Sequence, residues 1–202
     1  MPEQGPEHKN DAAHERPKVR SYIGLGSNYG DRVGYVQQAM QLLKDVPHIE
    51  VVECSSLYET EPVGHEYADD EWFVNAVAAI DTNLAPEVLL DVCQDIERRL
   101  TDMHGACARD SARENPGVRR RIIDLDILFF GDSAFESPYL TIPHPALHKR
   151  AFALVPLLEI APDQEHPSLG KTVVELHEEL PEPELVFLYG TRGCQSSFDD
   201  EP

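Results

Sequence analysis

No run of apolar residues in this chain is long enough to cross a bilayer. The longest, such as Ala151 to Leu158, falls far short of the roughly 20 residues a spanning helix needs. Residues 1–20 are polar, carry charges of both signs and hold no apolar stretch of the kind found in secretory leaders. Basic residues are scarce. Lys and Arg total 17 against 37 Asp and Glu, a formal net charge of -20. Such a balance excludes a general nucleic-acid binder, which needs a basic surface to displace counterions, and docking on anionic membranes. Cysteine is sparse too. Cys54, Cys93, Cys107 and Cys194 show no C-x-x-C spacing, which argues against zinc ribbons and thioredoxin-type chemistry. The expectation is idle thiols in a reducing cytoplasm. No G-x-x-x-x-G-K-S/T segment occurs, so a P-loop is absent at the motif level.

With 202 residues, 41% hydrophobic and 27% charged, the chain has the composition of one globular domain with its own core. Residues 1–17 read as a disordered leader, 18–180 as the domain, and 181–202 as an extension with an edge strand at Glu184 to Tyr189 and an acidic tail. No internal repeat is evident.

Tyr22, Ile23 and Leu25 mark a first strand. A helix starts near Asp31, a plausible N-cap, with Val33, Val36, Met40 and Leu43 at helical spacing. A second strand covers about Ile49 to Tyr58 and a third about Trp72 to Thr82. Pro86 opens a second helix, whose inner side carries Leu89, Cys93, Ile96 and Leu100. Residues 103–120, with Gly, Asn, Pro and four Arg, read as a long mobile loop. A fourth strand spans about Ile122 to Phe130. A helix after Pro145 should bend or end early at Pro156, and a short one covers Thr172 to Leu180. The order β-α-β-β-α-β predicts an α+β sandwich with a largely antiparallel sheet and helices packed on it.

The chemistry concentrates in Ile122-Ile123-Asp124-Leu125-Asp126-Ile127-Leu128. In a strand, residues two apart face one side, so Asp124 and Asp126 project together, about 7 Å apart at the backbone. Paired carboxylates suit hard divalent cations, and Mg²⁺ in particular takes one or two carboxylates plus substrate phosphates. The plain alternative is a solvated polar face on an edge strand. Beside the pair lie Arg109, Arg113, Arg119, Arg120 and Arg121. Guanidinium forks match phosphate oxygens; the plain alternative is pairing with surface acids. Phe73 and Asn75 share a strand face and can stack on and hydrogen-bond a flat heterocycle. His144, between two prolines, can contact a phosphate or cap a turn. Gly24-Leu25-Gly26-Ser27-Asn28-Tyr29-Gly30 tempts as a dinucleotide motif, but its third glycine comes one residue late and no parallel βαβ unit follows.

Taken together, Tyr22 to Asn28, Tyr58 to Gly64, Phe73 to Ala76, Arg121 to Ile127, and Ile142 to Pro145 with Arg150 and Phe152 resemble the 6-hydroxymethyl-7,8-dihydropterin pyrophosphokinases of folate biosynthesis. The resemblance covers about Ser21 to Pro167 and implies a ferredoxin-like α+β sandwich. It implies transfer of pyrophosphate from ATP to the pterin hydroxymethyl group, giving AMP, with two Mg²⁺ ions on Asp124 and Asp126 and no covalent intermediate. Under it, Phe73 and Phe152 sandwich the pterin and Asn75 reads its edge, beside backbone groups of Thr60, Pro62 and Val63. Arg121, His144 and Arg150 contact phosphate. Gln94, Glu97, Ile127 and Thr141 line the ATP side, and Arg109 and Arg113 fall on the arginine loop that closes over the site. Arg119 and Arg120 stand where the family usually has a small residue, often with proline. The implied partners are the two small-molecule substrates, with no nucleic acid and no membrane, in a cytoplasmic monomer or weak homodimer. Two rival readings are an inactive relative that only binds ligand, and another Mg²⁺-dependent phosphoryl transferase. The intact Asp pair weighs against the first, and Phe73, Asn75 and Phe152 against the second.

Overall fold

The computed structural model describes residues 16–62, 72–114, 120–181 and 183–190, with only the backbone given for 105–114. Val63 and Arg119, and the leader up to residue 15, lie outside the described residues. The elements run β1 (Val19–Ser27), α1 (Arg32–Lys44), β2 (Ile49–Cys54), β3 (Leu57–Thr60), β4 (Phe73–Thr82), α2 (Pro86–Glu114), β5 (Asp124–Phe130), β6 (Phe135–Glu136), β7 (Thr141–Ile142), α3 (Ala151–Ile160), β8 (Glu165–His166), β9 (Lys171–Thr172), α4 (Val173–Glu178) and β10 (Val186–Gly190).

The main sheet orders its strands β10-β3-β4-β1-β5, with β2 also paired to β4. Every pairing is antiparallel. The chain is therefore an α+β protein with the expected ferredoxin-like order. Strand alternation sorts its core into two layers. Ile23, Leu25, Ala76, Ala78, Leu125 and Ile127 face the side of α1 and α2, packing with Met40, Leu43, Leu89, Ile96 and Leu100. Tyr22, Val77, Ala79 and Leu128 face the other side, covered by Leu154 and Leu157 of α3 and Leu176 of α4. Because α3 covers only part of that second face, room remains beside its N-terminus.

Asp31 caps α1 as expected, its carboxylate accepting from Gly34 N at 3.0 Å. Thr172 and Glu175 form a capping box on α4. Four expectations change. The single strand from Ile49 to Tyr58 is two strands, broken at Ser55 and Ser56. There Val77 N donates to Ser55 Oγ at 2.9 Å and Ser56 N to a carboxylate oxygen of Glu159 at 2.8 Å, so side chains replace ladder partners. Residues 103–114 are not loop but the last turns of α2. Ala106, Ala108, Arg109, Ala112 and Arg113 favour helix, against about 1 kcal/mol for Gly105, and the helix ends before Asn115-Pro116-Gly117. Pro156 does not end α3, which continues to Ile160. A mid-helix proline costs about 3 kcal/mol, while burying Leu154 and Leu157 contributes about 1.5–3 kcal/mol each. Finally, Cys54 is disulfide-bonded rather than an idle thiol, whereas Cys93 is free and buried. Spacing in sequence cannot reveal a pairing made by the fold.

Candidate active site

The site is a set of rows across four adjacent strands. Register pairs Tyr58 with Asn75, Asn75 with Gly26, and Gly26 with Asp124. The neighbouring rows pair Thr60 with Phe73, and Val77 with Gly24 and Gly24 with Asp126. These side chains face the partly covered side of the sheet. All of these residues except Tyr58 line a cavity of about 310 Å³, together with Arg121, His144, Arg150 and Phe152.

Two glycines form its floor. A Cβ on Gly26 would sit 2.4 Å from Asn75 Oδ1, so the amide would have to shift; on Gly24 it would meet Leu128 at 3.3 Å. The glycines that mimicked a phosphate-binding turn are thus strand residues that let an amide and a ligand lie close to the backbone. Asn75 Nδ2 donates to Thr60 Oγ1 at 2.6 Å. That bond orients the amide and leaves Oδ1 and the second amide proton to meet a ligand.

Arg121 is held by its backbone as well as its side chain. Asn28 Oδ1 accepts from Arg121 N at 2.7 Å, and Asn28 N donates to Arg121 O at 3.2 Å. Its guanidinium pairs with Asp124. His144 stands 3.9 Å from Asp126 through Nε2. His144 Nδ1 accepts from Ala146 N at 3.2 Å. In the neutral ring this leaves the proton on Nε2, aimed toward Asp126. Burial, helped by Arg150, holds the imidazole below its ordinary 6.5, against the pull of Asp126 and Asp124. The residue is positioned by β5: a bulge opposite Tyr22 and Ile23 lets Leu128 O accept from His144 N at 3.0 Å.

Glu97 acts from the edge of the sheet. Its Oε1 accepts from Leu125 N at 2.6 Å, satisfying a donor that edge strand β5 would otherwise expose. Burial, reinforced by Asp124 and Asp126, pushes its carboxyl up to about 7. Arg150 lies over the Phe152 ring, 5.4 Å from its centre. Arg32 clasps both ends of the segment between β3 and β4, donating to Trp72 O at 2.6 Å and Glu59 at 2.9 Å.

A profile of the 7,8-dihydro-6-hydroxymethylpterin-pyrophosphokinase (HPPK) family matches residues 22–162. This chain belongs to that family. A pyrophosphokinase of Methylorubrum extorquens is 42% identical over 145 residues, 72% of this chain and 84% of that protein. One from Pseudomonas aeruginosa is 41% identical over 157 residues, 78% and 89% of the two chains. The folic acid synthesis protein fol1 of Schizosaccharomyces pombe is 37% identical over 181 residues, 90% of this chain. This chain spans only 22% of that longer protein. The crystal structure of wild-type Plasmodium falciparum HPPK-DHPS shares the fold, with TM-score 0.61 at 16% identity over 83% of this chain and 42% of that one. The named bacterial relatives are pyrophosphokinases, and the chain is an enzyme of that class.

Most residues assigned through the HPPK resemblance meet at one place. Thr60, Pro62, Phe73, Asn75, Arg121, Asp124, Asp126, His144, Arg150 and Phe152 all line the cavity. Gln94 and Thr141 are exposed outside it. The Ile127 side chain packs in the opposite core layer. Glu97 is tied to the site through the backbone of Leu125 rather than by lining it. Arg109 and Arg113 belong to the last turns of α2, their side chains outside the described residues. Arg120 stacks over Tyr29 at 5.2 Å and does not line the cavity. Sequence reasoning missed Gly24, Gly26, Asn28 and Arg32 as parts of the site. The glycines carried a signal, since their spacing of two puts both on one strand face; Asn28 and Arg32 act only through tertiary contacts.

Proposed function

We propose that the chain transfers the terminal diphosphate of ATP to 6-hydroxymethyl-7,8-dihydropterin, releasing AMP, within folate synthesis. The observation that carries this reading is the row itself. An aromatic and amide wall (Phe73, Asn75, Phe152) stands two strands from a carboxylate pair flanked by Arg121. Two strand spacings amount to about 10 Å, room for a flat bicyclic ring with its hydroxymethyl arm directed at the carboxylates.

In this reading the pterin lies between Phe73 and Phe152, its amide edge on Asn75 and the backbone at Thr60 and Pro62. Arg121 and Arg150 receive phosphate oxygens, and His144 offers its Nε2 proton. The hydroxymethyl oxygen attacks the β-phosphorus, the bond from that phosphorus to the bridging oxygen of AMP breaks, and the hydroxyl proton leaves. No protein nucleophile takes part, so positioning and charge neutralisation supply the rate.

The donor set fits Mg²⁺. Asp124 and Asp126 offer hard oxygen donors on one wall of the cavity. Among the described residues no group of three or more His, Cys, Asp or Glu could hold a metal ion. A pair of carboxylates, completed by water and substrate phosphates, is how Mg²⁺ is usually bound. Bound there, the cation supplies neutralisation of phosphate charge. The chain's part is to hold the two carboxylates side by side through the pairing of β5 with β1. Arg121 and His144 then orient the phosphates against them.

Calorimetry on Asn75→Ala tests the pterin slot. Pterin binding should weaken about tenfold, the consequence of losing one buried, oriented amide, with ATP binding nearly unchanged. Equal weakening of both would place the pterin elsewhere.

A further inference from the structure

The family match ends at residue 162, yet a later segment grips the cavity wall at four points. Arg150, the N-cap of α3, gives that helix no side-chain cap. The cap comes instead from far along the chain, where Glu184 Oε2 accepts from Ala151 N at 2.8 Å. The next residue, Leu185, accepts from Glu61 N through its carbonyl at 2.9 Å, and its own N–H donates to the Glu61 carboxylate at 3.4 Å. β10 then pairs with β3, Val186 opposite Thr60. Beyond that, Phe187 stacks on Trp72 with ring centres 5.8 Å apart and planes at 24°.

Each contact fixes an element of the ligand wall. Ala151 lies between Arg150 and Phe152, Glu61 beside Pro62, and Trp72 beside Phe73. A carboxylate at a helix N-terminus satisfies an otherwise unpaired N–H and meets the positive end of the helix dipole.

We propose that Glu184 is a positioning residue for the acceptor substrate: its carboxylate fastens the first turn of α3 to the β3 side of the sheet and so sets the spacing between Phe152 and Phe73. The proposal rests on the pterin reading above. Glu184 touches no reacting atom, so it should govern how well the flat acceptor is gripped more than how fast a bound acceptor reacts.

The test uses the full chain with E184A and E184Q. In E184A the Kd for 6-hydroxymethyl-7,8-dihydropterin should rise about fivefold, in keeping with loss of one helix cap. The KM for ATP should rise about twofold at most, and kcat at saturation of both substrates should stay within about twofold. E184Q keeps an oxygen acceptor for Ala151 N and should recover most of the affinity. Hydrogen exchange at Ala151 to Ala153, measured without any substrate, should speed up about fivefold in E184A and stay near wild type in E184Q. Unchanged pterin affinity in E184A, equal weakening toward both substrates, or E184Q as poor as E184A would overturn the proposal. Failure of the parent reading shows separately, as a wild-type chain that forms no AMP with pterin and ATP.

Discussion

Asp126 and Gly26 carry the site at the smallest scale, and each makes a sharp prediction. Asp126→Ala leaves the pterin wall intact while removing half of the carboxylate pair. Turnover should fall by a factor of about 10³ or more, as expected when charge stabilisation is lost in a preorganised site. Pterin affinity by calorimetry should change by less than about threefold. Full activity would remove Asp126 from the mechanism. Gly26→Ala tests packing, because the new methyl would lie 2.4 Å from Asn75 Oδ1. Overpacking of this kind costs about 1–3 kcal/mol, so pterin affinity should fall about tenfold and the melting temperature by a few degrees. Normal affinity in a folded Gly26→Ala protein would show that the amide is not held by the strand floor. Much at this scale was legible in sequence. A period of two put Asp124 with Asp126 and Phe73 with Asn75 on shared faces, and the register merely brought the two pairs onto one wall. Glu184 was not legible as a cap, because its partner Ala151 lies 33 residues away and no local pattern links them.

Helices and strands add their own pH dependence. Glu97 ties α2 to edge strand β5, and burial beside two carboxylates raises its carboxyl from 4.5 to about 7. A raised carboxyl binds its proton more tightly folded than unfolded, so its contribution to stability falls as pH rises from about 4.5 to 7. Glu97→Gln keeps an acceptor for Leu125 N and cannot ionise. Its melting temperature should exceed that of wild type by about 2–4 °C at pH 8, the size expected for about 1 kcal/mol in a chain this long, with the gap closing toward pH 4.5. A constant gap would contradict the raised carboxyl. His166, in β8, has the opposite sign. Its ring is buried, Nδ1 has no hydrogen-bond partner, and burial and the neighbouring His148 hold its pKa below 6.5. Stability from the neutral ring is therefore full above pH 6.5 and is lost as pH falls below it. His166→Phe should flatten that acid-side loss in melting curves between pH 7 and 5; an unchanged slope would assign the loss to other groups. Sequence patterns located nearly every element but misjudged several ends. The true length of α2 was hidden by Gly105 and the arginine-rich segment after it, because a single local breaker masks the helix formers that follow it. The span of α3 through Pro156 was hidden because burial, which offsets the proline, is a property of the assembled core.

Across the whole molecule, a net charge of -20 surrounds a cavity whose cationic lining residues are Arg121 and Arg150. An anionic ligand must enter against the field of the protein, which makes these two local cations more important here than in a neutral relative. No helix among the described residues is long and apolar enough to cross a membrane. Residues 22–162, matched by the family profile, supply most of the main sheet and the cavity lining, and β10 adds a strand beside β3. The central claim is that this cavity aligns the β-phosphorus of ATP with a pterin hydroxyl. The most direct test is to incubate the chain with ATP, Mg²⁺ and 6-hydroxymethyl-7,8-dihydropterin and to resolve AMP from ADP by chromatography. AMP formed in step with the pterin diphosphate, and only when pterin is present, is the predicted result. ADP with a pterin monophosphate, or AMP formed without pterin, would contradict it.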